Sequence, residues 1–264
     1  MNIHFRLSLA FIFMMLLFSS DLSAQCDCNN PSILYAPSAD DDPAWRAEIA
    51  AAIGSATVTY LDARVTTPTV VQMSDYCAVI TWTNEAYANH SDFGDNLADY
   101  VDGGGQVILG VFSTFTQGIS LTGRIMTVGY SPVASPLGAN TGVMSSYSND
   151  GSPTLFRDVN SLSAPFQDVL VMQGDGILDG TYENGEVLSA YRPDFGVVYL
   201  NGMSSRNFMS TMDGDWDILV RNAFRNNCPV IIPTLSEWMV VILGLMLLTV
   251  GILVVRSRSL TIVS

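Results

Sequence analysis

The sequence predicts one α/β domain with a mostly parallel sheet, because short apolar runs of strand length alternate with amphipathic helical stretches through its first half. Two further observations shape the expectation. Late in the domain, two apolar runs flank Pro193, Asp194, Phe195 and Gly196, which predicts a β-hairpin. Near the C-terminus, residues 238–255 form an uncharged apolar run of 18 residues, which predicts a single transmembrane helix.

The elements follow in order. Residues 33–36 make the first expected strand, ending at Pro37. Asp42 is placed to cap a helix that has Pro43 at its first position and Gly54 as its stop. Trp45, Ile49 and Ile53 recur at the spacing of one helical face. Residues 57–61 and 77–82 predict the second and third strands. A second helix is expected from a cap at Ser91, with Phe93, Leu97 and Val101 on one face and Gly103, Gly104 and Gly105 ending it. Residues 106–112 predict a fourth strand. Strands and helices at this spacing imply parallel strands joined by crossovers and covered on both faces.

The second half reads differently. Residues 113–154 are rich in Gly, Ser, Thr and Pro and show no helical period. A strand is expected over 169–172, and the hairpin joins 187–191 to 197–200. Trp216, Leu219, Val220, Ala223 and Phe224 predict a last amphipathic helix that ends near Asn226 and Asn227.

The ends of the chain carry targeting patterns. Arg6, the apolar run 7–18 and the small-residue stretch ending at Ala24 have the three parts of a secretory signal, with cleavage expected after Ala24. An acylated Cys26 fits less well, because Gln25 stands where a small residue is wanted. At about 1.5 Å per residue the 238–255 run reaches roughly 27 Å, enough to span a hydrocarbon core. Arg256 and Arg258 follow it and place the tail in the cytoplasm. The expected division is a signal peptide at 1–24, an exported domain at 25–228, a linker at 229–237, the transmembrane helix at 238–255 and a cytoplasmic tail at 256–264. Between residues 25 and 228 stand 23 acidic residues against 8 Arg, a net charge of −15, and the chain has no Lys at all. Such a surface repels phosphate backbones, which argues against nucleic-acid binding.

Ile232, Pro233, Thr234, Leu235 and Trp238, followed by the apolar run and the two Arg, resemble the IPTL-type C-terminal protein-sorting signal of Gram-negative bacteria. Met239 departs from the Gly usual after the Trp. The resemblance implies export by the secretion machinery and processing by an exosortase-like membrane protease. It also implies residence in the inner membrane with a periplasmic domain, then transfer toward the cell surface.

Between 33 and 224 the order of parts is similar to the class I glutamine amidotransferase-like superfamily, particularly its trehalose-utilisation type. The likeness rests on Tyr76 to Ile80 as a strand, Leu97 to Val101 as a helix, the three glycines, the strand after them, and the Val197 to Gly202 segment. It implies a flavodoxin-like, three-layer α/β fold. In catalytic members a Cys stands at the sharp turn after the strand at 106–112 and a His serves as its base. Here the turn reads Gly110, Val111, Phe112, Ser113, Thr114, and the one His of the exported domain is His90. A thiol–imidazole pair is therefore missing, and Ser113 lacks a base.

Ligands of open α/β sheets bind beyond the carboxyl ends of the strands. That rule nominates Asp40, Asp41, Asp42, Asp62, Arg64, Asn84, Glu85 and Ser113. Clustered carboxylates can hold a hard cation such as calcium, but caps and ion pairs are the commoner use, and neither a metal site nor a cofactor is expected. Asp175-Gly176 and Asp179-Gly180 read as turns. Of the four Cys, Cys28 and Cys228 bracket the domain and are expected to pair, while Cys77 is expected as a buried thiol. The functional expectation is an exported domain that binds or scaffolds without catalysis. Its alternative is a hydrolase of small molecules or sugars using Ser113, Asp40 and Asp62.

Overall fold

The computed structural model describes residues 26–148, 154–208 and 212–227, together with Leu243, Gly244 and Thr249. In chain order the first elements are β1 (Ser32–Tyr35), α1 (Pro43–Ile53), β2 (Thr57–Tyr60), α2 (Val70–Met73), β3 (Ala78–Thr81), α3 (His90–Asp102) and β4 (Gln106–Leu109). Short strands follow: β5 (Val133–Ala134), β6 (Asn140–Thr141), β7 (Ser145–Ser148), β8 (Ser161–Ala164), β9 (Gln167–Asp168) and β10 (Val171–Met172). The last elements are β11 (Ile177–Thr181), β12 (Val187–Tyr191), β13 (Val197–Leu200), β14 (Asp213–Gly214) and α4 (Trp216–Asn227).

The main sheet has seven strands in the order β11-β12-β13-β4-β3-β1-β2. From β2 to β13 every neighbouring pair is parallel, and β12 and β11 are antiparallel additions at one edge. The expected late hairpin is β12–β13, with Ser189 opposite Leu200 and Tyr191 opposite Val198. Side chains alternate between two cores. Ile33, Tyr35, Ile80, Ile108 and Val198 face α1 and α4, while Leu34, Val79, Val107, Leu109 and Tyr199 face α3. Burial on both faces explains why β3, β4 and β13 read as continuous apolar runs.

Several expectations are corrected here. The transmembrane helix is the first: among the described residues no helix is long and apolar enough to cross a membrane. Residues 238–255 lie almost wholly outside the described part, as do the leader and the motif at 232–238. The second helix is capped by Asn89 rather than Ser91, because the Asn89 carboxamide accepts from the backbone N–H of both Ser91 and Asp92. The fourth strand stops at Leu109, since Phe112 turns into the left-handed region at φ +63°. Asp179-Gly180 is not a turn but a bulged stretch of the edge strand β11. Helix α2 gave too short a pattern to be read, yet it carries a capping box between Thr69 and Gln72.

The cysteines are corrected as well. Cys77 is not a buried thiol; it forms a disulfide with Cys26, across 51 residues. Cys28 is disulfide-bonded too, and its expected partner Cys228 lies outside the described residues.

Candidate functional site at the carboxyl ends of the strands

The residues nominated at the strand ends are close together, but they are bound to one another. Arg64 grips Asp62 with two hydrogen bonds of 2.8 and 2.9 Å, and reaches Asp40 at 2.7 Å and Glu85 at 2.6 Å. One guanidinium thus stands where a cation shared by three carboxylates would stand. Its hydrogen bonds hold the Asp62 carboxyl below the usual carboxylate range, and Asp62 in turn raises the Arg64 guanidinium. Asp41 takes a two-pronged pair from Arg46 at 2.8 Å. Asp42 is buried as the N-cap of α1: one oxygen accepts from Trp45 N–H at 3.0 Å and the other from Asn207 N–H at 3.0 Å. Asn84 is exposed and is tied by its backbone N–H to the Ser38 carbonyl. Among the described residues, no group of three His, Cys, Asp or Glu side chains is arranged to hold a metal ion.

The turn after β4 is built by close packing. A Cβ on Gly110 would come within 2.4 Å of the Met203 carbonyl and 2.7 Å of Trp82 Cβ, so only glycine lets β4 pass there. The chain then reverses through Phe112, whose left-handed backbone costs a bulky residue about 1–2 kcal/mol. Aromatic packing offsets that cost. Phe112 lies 5.7 Å from Phe115, 5.5 Å from Phe166 and 6.0 Å from Phe208, ring centre to ring centre, and Trp82 is 5.2 Å from Phe208. These rings form one aromatic cluster beside the turn, with Phe115, Phe166 and Phe208 partly buried.

Ser113, the next residue, is fully buried, and its hydroxyl has no hydrogen-bond partner among the described residues. His90 does not serve it: the imidazole Nδ1 sits 2.6 Å from the Thr122 hydroxyl at the start of α3. The strand-end Asp side chains do not serve it either, because Asp40 and Asp62 are both engaged by Arg64.

The carboxylate that does meet this turn is Asp168, which no pattern in the sequence nominated. It is fully buried, and it accepts from Thr114 N–H at 3.3 Å, Thr114 Oγ1 at 2.7 Å, Asn140 Nδ2 at 3.0 Å and the Tyr199 hydroxyl. Asn201 locks its backbone, accepting from Asp168 N–H at 2.7 Å and donating to its carbonyl at 2.9 Å. Burial raises the Asp168 carboxyl above its ordinary range against the pull of these four donors. The same burial, with Asp168 beside it, drives the Tyr199 phenol well above its ordinary value. Asp168 therefore fastens the segment after the turn to β6 and β13. The only hint in the sequence was a charged residue abutting the apolar run 169–172.

No family model and no curated protein matches the sequence. Among solved structures, a protein described as ThuA-like from Bacteroides uniformis ATCC 8492 aligns at a TM-score of 0.45 and 11% identity. The alignment covers 80% of this chain and 95% of that one. A Thermoplasma acidophilum protein described as one component of a GMP synthase aligns at 0.45 and 9% identity, covering 75% of this chain and 94% of its own.

Proposed function

We propose that this chain is an exported, disulfide-stapled domain that acts by non-covalent binding and performs no nucleophilic catalysis. The observation that carries the reading is Phe112. The one residue held in left-handed geometry at the end of β4 is an aromatic ring packed among other rings. Nothing at that position can attack a substrate. The neighbouring hydroxyl of Ser113 is buried and faces no base, and without a base a serine hydroxyl is a weak nucleophile. The nominated carboxylates are occupied by Arg64, Arg46 and a helix cap, which supports a structural use for them. Export is supported by the leader pattern of residues 1–24 and by the Cys26–Cys77 disulfide, since such bonds persist mainly in oxidising compartments.

Catalysis is tested by treating the purified protein with a fluorophosphonate probe and mapping adducts by mass spectrometry. No adduct is expected at Ser113. Stoichiometric labelling there, abolished by Ser113→Ala, would overturn the reading.

A further inference from the structure

Charge is spread unevenly along this acidic chain. From residue 103 to 149 Arg124 is the single charged residue, and residues 159–167 carry none. The fold brings parts of these two stretches together beside the turn after β4. Strand β6 pairs with β9, Asn140 opposite Asp168 and Thr141 opposite Gln167, and the Gln167 carboxamide donates to the Val143 carbonyl at 3.2 Å. A Cβ on Gly142 would stand 3.8 Å from the Phe166 ring, and one on Gly138 would collide with the Thr116 side chain. One end of the β6 segment therefore lies against Phe166 and the other against the residue after Phe115. Both of those rings lean on Phe112, at 5.5 and 5.7 Å, so the two ends belong to one surface.

That surface holds large apolar side chains in water. Leu137 is 78% exposed, Val143 64% and Met144 50%. Phe115 and Phe166 are only half-buried beside them. A single exposed apolar side chain is ordinary; three of them with two half-covered rings and no charge among them form a patch. Loss of charge together with aromatic and Met side chains is the composition of interface centres. Acidic residues stand at its margin. The backbone of Glu183 bonds the Ser146 carbonyl, and the Thr83 hydroxyl links the carbonyls of Glu85 and Ile119. Asp168 is fully buried beneath.

We propose that this uncharged apolar face is where two copies of the chain associate. Electrostatics selects the occupant. The domain carries 23 acidic residues against 8 Arg, so two copies repel each other through most approaches. A face without carboxylates is the one through which they can close. A basic partner is drawn instead to the acidic surfaces elsewhere, such as the row of Asp92, Asp95, Asp99 and Asp102 on α3. Anionic lipid is refused as well, because interfacial binding joins Lys or Arg to apolar groups and the chain has no Lys. A two-fold axis lets a single patch serve both copies. Association through these side chains makes no use of the Ser113 hydroxyl, so it stands or falls apart from the reading of Phe112.

Sedimentation velocity on the purified full chain, over a wide range of protein concentration, is the test. Dimers are expected, and added salt should tighten them, because screening weakens the repulsion between two acidic bodies and leaves apolar contact intact. The double variant Leu137→Glu, Val143→Glu sets like charges into the face and should dimerise at least about tenfold more weakly. Val65→Glu changes a side chain 74% exposed in the loop after β2 and should dimerise as the parent does. All three side chains are exposed, so melting temperatures should match the parent; if the double variant melts early, Val143→Glu alone takes its place. A parent that stays monomeric would overturn the proposal. Equal dimerisation by the folded variant would do the same and assign the association to another part of the chain. Monomers that cosediment with phosphatidylcholine vesicles, unless Leu137 and Val143 are replaced, would give the face to lipid and reject a second copy.

Discussion

Asp168 shows how one buried ionisable side chain can organise its surroundings. Its carboxyl gathers donors from Thr114, Asn140 and Tyr199, which come from three separate stretches of chain. Removing it takes the shared acceptor from the buried Thr114 and Tyr199 groups and from the half-buried Asn140, and a buried group left unsatisfied costs about 1–3 kcal/mol. Asp168→Ala is therefore expected to lower unfolding free energy by about 3 kcal/mol, read from the urea midpoint at an unchanged slope. Because burial raises this carboxyl, the part of its contribution that depends on protonation is present below the ordinary carboxylate range and is lost as pH rises through its folded value. Phe112 is the second telling residue. Aromatic packing holds it in a backbone conformation that it would not adopt alone.

At the level of elements, local rules account for α1 almost completely. Asp42 caps it, Pro43 opens it, and Trp45, Ile49 and Ile53 bury one face. The same rules misplace the start of α3 by preferring Ser91, because Asn89 and Ser91 are both good caps and only the backbone path chooses between them. The loops after β1, β2 and β3 are joined by Arg64, and this clamp has a pH signature. Asp62 is lowered by Arg64, so the stability it contributes is fully present above about pH 4, the ordinary carboxylate value, and is lost as pH falls through its lower folded value. Arg64→Met should cost about 1 kcal/mol at pH 7, a figure reduced for solvent screening of these partly exposed groups. The loss should shrink below pH 4, where the parent gives up the same interaction. Denaturation midpoints of both proteins from pH 3 to 7 check this; parallel curves throughout would refute it.

Over the whole molecule, the Cys26–Cys77 bond ties the segment before β1 to the start of β3. Closing a loop of this length removes unfolded-state entropy worth about 4 kcal/mol at most. Reduction is expected to lower the melting temperature by several degrees or more, and mapping without reductant should recover Cys26 and Cys77 in one linked peptide pair. Cys28 is expected in a second linked pair, with Cys228, by the same mapping. A free thiol at Cys77 would remove the staple and with it part of the support for export.

The sequence by itself determined the alternation of strands and helices, the two apolar faces of the sheet, the cap of α1 and the late hairpin. These depend on periodicity and on neighbours a few residues apart, so they are written locally. Tertiary structure decided the rest. Thr114 and Asp168 are 54 residues apart in the chain, and Arg64 and Asp40 are 24. Gly142 meets Phe166 only because β6 and β9 pair in one particular register. A hydrogen bond or a shared face formed across such distances leaves no period in the sequence; only the packed chain brings its members within reach.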